Sequence, residues 1–452
     1  AFSDTSGYIG SGGAGTASVT VSGSGSSWTN TGNVAVGYSG TGRLVVTTGG
    51  AVSDGSGFIG YAAGSSGGVT VSGSGAKWTT AAGLIVGDLG TGALTITGGG
   101  AVSVTGATTI GSLGVLQFDG GSTFSTGSLA VNGGKLVTLG AATFSPSATL
   151  GAGGMIVNSE GFNSTFTGNF SGAGGITKSG SGTITLTGAG TYTGATSVDA
   201  GTLALTTGTG HTASLGNTAI TVASGATFDA SAGAAPFNRI VSAGTTASGT
   251  AGATLKLNPG SSFSMAGASL ATFDLQQESA FSGPAFTIGG ASGIAPSLIF
   301  DIGNAATGPD LLRVTKTVSV LATGGDITID PLAGDSSLTA GSYYLIISAG
   351  GFSGAGGNGL ALSGTTLAVD GTTYDLSLAH STADDEILTV TDAPATPSAL
   401  AVESREDALG AAAPEGKESA PLAGTTAVPE PGTTMSLLSV MATAWMLRRR
   451  RG

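Results

Sequence analysis

Cysteine is absent from all 452 residues, which excludes disulfides, thiolate zinc sites and a cysteine nucleophile and leaves stability to packing and backbone hydrogen bonds. Charge is scarce as well. Asp, Glu, Lys and Arg make up 9% of the chain, against about 25% in an ordinary soluble domain, so hydroxyls and backbone must solvate most of the surface. The 14 Lys and Arg are outnumbered by 26 Asp and Glu, for a formal net charge of −12, and four of the basic residues sit together at Arg448–Arg451. Phosphate binding needs a basic stripe, so no nucleic acid partner is expected. The two histidines, His211 and His380, have no partner motif, and no nucleotide loop, zinc spacing or nucleophile elbow occurs. No cofactor and no metal site are expected.

What the chain has in excess is glycine, 84 residues, together with Ser, Thr, Ala and Val. Such a composition can mean flexible linker, but the 40% hydrophobic content and regularly spaced β-branched triplets argue for packed strands. Residues 1–50 and 51–100 are one module written twice without an insertion, with Asp4/Asp54, Ile9/Ile59, Trp28/Trp78, Gly37/Gly87 and Leu44/Leu94 in register. Val19-Thr20-Val21, Leu44-Val45-Val46, Val69-Thr70-Val71 and Leu94-Thr95-Ile96 advance by half that interval. An internal period in this range marks a solenoid or a propeller. Because Ala1-Phe2-Ser3-Asp4 aligns with Ala51-Val52-Ser53-Asp54, the sequence opens in mid-module, and an export signal and at least one earlier rung are expected upstream.

A 25-residue rung accommodates three short strands: Asn33-Val34-Ala35-Val36, Arg43-Leu44-Val45-Val46-Thr47 and Ala51-Val52-Ser53, with glycines at the corners. The expected fold is therefore all-β, a right-handed parallel β-helix of about fifteen rungs and about 75 Å. A propeller remains the rival, although no blade signature occurs. Counting seven residues from Val21 and Val71 reaches Trp28 and Trp78, and the same count in the intervening rungs reaches Ser53 and Ser103. Large and small side chains would then alternate along the core, the indoles covering their neighbours; an aromatic row for sugar is the competing reading. Asp4 and Asp54 lie two turns apart with Thr29 and Thr79 at the matching positions, so they form no catalytic dyad. Asp384-Asp385-Glu386 reads as a solvated corner before Ile387-Leu388-Thr389-Val390.

The segment Gly172–Leu205 carries Gly175-Ile176-Thr177-Lys178, Gly180-Ser181-Gly182-Thr183, Ile184-Thr185-Leu186, Thr191-Tyr192-Thr193-Gly194 and Gly201-Thr202-Leu203. It resembles the autotransporter-associated β-strand repeat of secreted bacterial surface proteins, and the resemblance implies a β-helical passenger. Physically, Tyr192 reads as half-buried and Lys178 as solvating a turn. The chain divides into 50-residue repeats over 1–111, a continuing β-helix over 112–264, and a C-terminal β region or cap over 265–392. The last includes Pro296–Gly303, Asp310–Val314 and Ala340–Ile347, apolar runs bounded by Gly, Pro or Asp that also resemble the C-terminal parts of large surface proteins. A disordered, Pro-interrupted linker follows over 393–427.

Residues 428–452 place Val428-Pro429-Glu430-Pro431 ahead of an apolar run carrying Met435, Leu437, Leu438, Val440, Met441, Trp445 and Leu447, and then Arg448, Arg449, Arg450 and Arg451. Thirteen apolar or small residues make about 20 Å of helix, short of a comfortable span, and terminal arginines favour the cytoplasmic face. This three-part order resembles the PEP-CTERM sorting tail. The resemblance implies recognition of Pro429, Glu430 and Pro431 by an exosortase-type protease and a transient inner-membrane anchor; an ordinary anchor is the plainer alternative. The expected protein is not an enzyme. It is an exported surface or extracellular β-helix with a structural or adhesin-like role, its surface partners being exopolysaccharide or cell-surface glycans. A polysaccharide-binding or polysaccharide-degrading β-helix is the alternative.

Overall fold

Parallel ladders dominate the computed structural model, which describes residues 1–392 except 13–14, 207–212, 232–238, 245–250, 268, 305–307, 355–358 and 381–384. Every named element among the described residues is a β-strand. One coil can be followed from Thr41–Thr47, round a tight turn at Thr48 to Gly50, along Ala51–Ile59, round a corner at Gly60, and into Ser66–Ser72, which pairs residue for residue with Thr41–Thr47. The chain is a parallel β-helix, as its period implied. The 14-stranded sheet runs from Thr16–Ser22 to Phe352–Gly354, and at about 4.8 Å per strand it spans about 62 Å. Fourteen strands replace the expected fifteen because the last part of the chain leaves the coil for antiparallel strands; the step between coils also varies, from 25 residues at Leu44↔Val69 to 20 at Leu116↔Leu136 and 35 at Val222↔Leu257.

Alternation of side chains selects what enters the core. Leu44, Val69, Leu94, Leu116, Leu136 and Val157 stack as one buried file, and Val46, Val71, Ile96 and Phe118 as its neighbour, while Val45, Thr70, Thr95 and Gln117 between them face outward. Deep in the coil the aromatic residues take over: Phe118, Phe144, Phe166 and Phe170 form a run with centroids 5.1 to 6.4 Å apart, and Phe228, Phe263, Phe273 and Phe286 form a second.

The three expected strand segments per coil are present, but two of them fuse. Ser27–Asn30 and Asn33–Val36 pair with the two halves of the single strand Ala51–Ile59, which bends at an irregularity between Asp54 and Ser56. From Thr143–Phe144 onward a third sheet appears, and the coil becomes three-faced with short strands. The first sheet ends at Phe170–Gly172, and isolated bridges Phe170↔Gly190 and Ala189↔Ser214 hand its place to the fourth sheet. Within 265–392 the parallel coils continue to Leu360–Leu362. Gly341–Ser348 then pairs antiparallel with Asp385–Asp392, which pairs with Thr372–His380, which pairs with Thr366–Val369. This antiparallel patch closes one edge that would otherwise continue to offer unpaired backbone.

The tryptophan register differs from the fixed count of seven. Trp28 and Trp78 lie opposite Val52, and Trp78 opposite Val102, not opposite Ser53 and Ser103. The turn before each tryptophan, Gly23 to Ser26 and Gly73 to Ala76, is one residue longer than the turn before each valine, Thr48 to Gly50 and Gly98 to Gly100. Strands of the long sheet therefore step by 25 while the tryptophan face alternates between 24 and 26.

Corner glycines are obligatory where the coil turns from one sheet to the next. Gly60 has φ 73°, and a Cβ there would lie 2.3 Å from the Thr91 carbonyl oxygen of the next coil. By contrast, a Cβ on Gly68 would meet nothing within 4 Å. Gly60→Ala is expected to destabilise the fold by about 2 kcal/mol or more, with Gly68→Ala within about 1 kcal/mol of the parent. Thermal melting of the two variants side by side checks this, and equal midpoints would contradict the packed corner.

Candidate functional site

The tail residues Val428, Pro429, Glu430, Pro431, Met435, Leu437, Leu438, Val440, Met441, Trp445, Leu447 and Arg448–Arg451 lie outside the described residues, as do His211 and Asp384. Among the described residues, no helix is long and apolar enough to cross a membrane. The remaining candidates fall on the coil itself.

Both early tryptophans point inward. Trp78 is fully buried and Trp28 nearly so, which removes them as a sugar-binding row. Each indole fits over a glycine of the preceding coil: a Cβ on Gly57 would lie 2.7 Å from the Trp78 ring, and one on Gly7 2.2 Å from the Trp28 ring. Each also donates its N–H to a carboxylate, Trp78 to Asp54 at 2.8 Å and Trp28 to Asp4 at 3.4 Å. The shorter valine turn shifts the neighbours of these carboxylates too, so Asn30 and Thr80 occupy the positions expected for Thr29 and Thr79. Placing carboxylates on alternate coils matters electrostatically. Two charges about 4.8 Å apart at an effective dielectric of 20 repel by about 3.5 kcal/mol, and doubling the separation halves that.

An exposed aromatic ladder occurs elsewhere. Tyr8, Tyr38, Tyr61 and Phe58 follow one another along the outside of the opening coils, with Tyr8 53% and Tyr61 38% exposed. Tyr38 and Tyr61 stack 5.2 Å apart and 8° from parallel, so their faces are turned to each other, while Tyr8 and Phe58 meet the stack edge-on. Sugar binding by stacking needs open ring faces, and the facing sides of Tyr38 and Tyr61 are taken up by each other.

Within the repeat segment, Lys178 and Tyr192 are both completely buried, in place of the solvated and half-buried positions expected. Lys178 follows Val157 and precedes Val198 in an inward file of the long sheet. Its ammonium donates to the carbonyls of Ser179, Gly180 and Ala200 at 2.9, 2.7 and 3.0 Å and lies 3.1 Å from Ser159 Oγ. It thus plugs a corner by collecting carbonyls from two coils, and burial lowers its pKa to about 8. The Tyr192 hydroxyl joins a buried chain: it is 2.8 Å from Thr196 Oγ1, itself 2.9 Å from Thr218 Oγ1, which donates to the Gly194 carbonyl at 2.7 Å. Burial raises the phenol well above its ordinary range.

Carboxylates were the groups an enzyme would need, and the coil uses its buried ones as staples. Asp310 accepts from the backbone N–H of Ala271 and of Asp301, each at 2.7 Å, and Asp301 accepts from Gly267 at 2.7 Å. Burial pushes Asp310 up to about 8 and Asp301 to about 6, against the pull of these backbone donors. Asp274 takes a bidentate contact from Arg313 at 2.6 and 2.7 Å. Glu386 is fully buried on Asp385–Asp392, so the acidic group before Ile387 is not simply a solvated corner. Among the described residues, no three His, Asp or Glu side chains gather where they could hold a metal. Lys178 had a legible signal, since it stands two residues after the inward Ile176 on the strand Ile176–Ser179, and it was missed because that segment was read as a turn; Asp301 had none, since alternation with Leu298, Phe300 and Ile302 puts it in the outward set with Ile299.

Lys178→Met keeps the length of the side chain and removes its donors. The carbonyls then lose their partner, an expected cost of about 3 kcal/mol or more. A second signature follows from the depressed pKa: between about 8 and 10.5 the unfolded chain binds the proton that the folded chain releases, so parent stability rises with pH across that window. Melting from pH 8 to 10, above the titration of Asp310 and below the range in which Tyr192 opposes the trend, is expected to show a steeper rise in the parent than in Lys178→Met.

Residues 176–205, the stretch that holds Lys178 and Tyr192, match the Passenger-associated-transport-repeat family model. No curated protein matches the chain. A repeat of this autotransporter-associated kind, set in a continuous parallel coil, implies an exported or cell-surface β-helical protein of the passenger type.

Proposed function

We propose that the chain is a non-enzymatic stalk of the cell envelope or extracellular matrix, with a structural or adhesin-like role, delivered through its C-terminal tail. The observation that carries the reading is the transport repeat at 176–205, whose two distinctive polar residues are spent on holding the coil together. Rod-like length, a hydroxyl-rich surface and a formal charge of −12 suit a spacer that stays soluble. Its surface partners in this reading are exopolysaccharide or cell-surface glycans. The alternative of a polysaccharide-active coil is disfavoured by buried carboxylates already engaged with backbone or Arg313 and by tyrosine faces stacked on one another.

Delivery in this proposal depends on Val428-Pro429-Glu430-Pro431, the apolar run Met435 to Leu447 and the four arginines acting as a PEP-CTERM signal. An exosortase-type protease would recognise the Pro-Glu-Pro residues while the short helix holds the chain briefly in the inner membrane. Changing Pro429, Glu430 and Pro431 together to alanine is expected to leave the protein in the membrane fraction. Release at the parent level would refute the sorting proposal and leave the β-helix untouched.

A further inference from the structure

Four side chains of the opening coils form a polar file inside an otherwise apolar core. Asp4 lies opposite Asn30, and Asp54 opposite Thr80; pairing of Trp28 with Val52 and Thr29 with Ser53 sets Asn30 against Asp54. The file stops at Val104, which follows Thr80. Asn30 and Asp54 are 4% exposed and Thr80 is 0% exposed. The indoles take Oδ2 of each carboxylate, while Asp4 Oδ1, Asn30 Oδ1 and Nδ2, Asp54 Oδ1 and Thr80 Oγ1 are buried without a protein hydrogen-bond partner. Five such atoms on four successive coils are too many to be an accident of packing, because each would cost the fold its desolvation.

We propose that this file is a binding site for a row of internal waters, running from Asp4 to Thr80. The spacing between coils is about 4.8 Å, and where the short side chains of the file do not bond directly to one another, one water with two legs of about 2.8 Å spans that gap. The polar groups are of the right kinds. Asn30 brings a donor and an acceptor, the two carboxylates bring acceptors, and the Thr80 hydroxyl brings both. A bare cation would use only the oxygens and would leave Asn30 Nδ2 unpaired, which favours water over a metal ion. The 50-residue period follows from the same arrangement: a carboxylate on every coil would crowd like charges in the file, whereas Asn30 and Thr80 separate them.

The titration of Asp54 is consistent with a hydrated but enclosed carboxyl. Burial raises it to about 6, opposed by the Trp78 N–H and by a Thr80 hydroxyl that is near without meeting hydrogen-bond geometry. The only other charged group in the file is Asp4, and the strands across the coil present Leu44, Val46, Val69 and Val71.

Thr80→Val keeps the shape and deletes one water partner, and Thr80→Ser keeps the hydroxyl. In the full chain at pH 7, Thr80→Val is expected to melt about 2 °C or more below Thr80→Ser, and high-resolution density of the parent is expected to show waters in the file, with the one beside residue 80 lost only in Thr80→Val. A dry file in the parent would overturn the proposal whatever the midpoints, since a direct contact of Thr80 with Asp54 would then account for any loss, and so would a Thr80→Val midpoint at or above that of Thr80→Ser. A rise in melting temperature with millimolar calcium that disappears in Asp54→Asn would equally overturn it, in favour of a cation.

Discussion

Register between successive coils is the constraint on which everything else depends. Each strand completes its backbone hydrogen bonds only with the strand one coil away, so an inward side chain always meets the inward side chain of its neighbour. Leu44 must fit Val69, Trp78 must fit Val52 and Val102, and Lys178 must fit Val157 and Val198. A one-residue slip would turn every core residue to solvent, and the glycine corners at Gly60 and its equivalents Gly37 and Gly87 hold against it, because only there can the chain turn without a Cβ striking the adjacent coil.

Polar groups inside the coil are arranged by the same rule. Most of them bond across coils rather than within one: Trp78 to Asp54, Lys178 to Ala200, Asp310 to Ala271, and Gln277 to both Ala253 and Thr315. A bond of this kind ties together segments that the ladder already places side by side, which adds specificity of register to the non-directional packing of Val, Leu and Phe. The absence of disulfides is thus met by many short staples, each dependent on its neighbours being in place.

The period and the inward triplets were readable in the sequence because repetition and alternation are properties of order along the chain. Val19-Thr20-Val21 and its copies stack as their spacing implied. What could not be counted from a period was the turn, which varies by one residue between tryptophan and valine coils and so moves Val52 and Asn30 into places that a fixed interval assigned to Ser53 and Thr29. Burial of a charge was harder to accept than to read: Lys178 shares the inward parity of Ile176 and stands where its neighbours in the file are valines, and only the carbonyls of Ser179, Gly180 and Ala200 explain why a lysine is tolerated there. Tyr192 was placed too near the surface because the buried chain that holds its hydroxyl runs through Thr196 to Thr218 on the next coil.

On the proposed reading a stalk needs length more than it needs a cleft, and a continuous coil with few charged groups and many outward hydroxyls suits that role. The most direct test of the account is in-register pairing itself, and a chain without cysteine is suited to it. Thr29→Cys with Ser53→Cys places two thiols opposite each other on neighbouring strands, whereas Thr29→Cys with Ala51→Cys offsets them by two residues, to about 8 Å between Cα atoms, beyond disulfide reach. Under mild oxidation the first pair should close within one molecule and the second should not; closure of both, or of the second alone, would contradict stacked coils in this register.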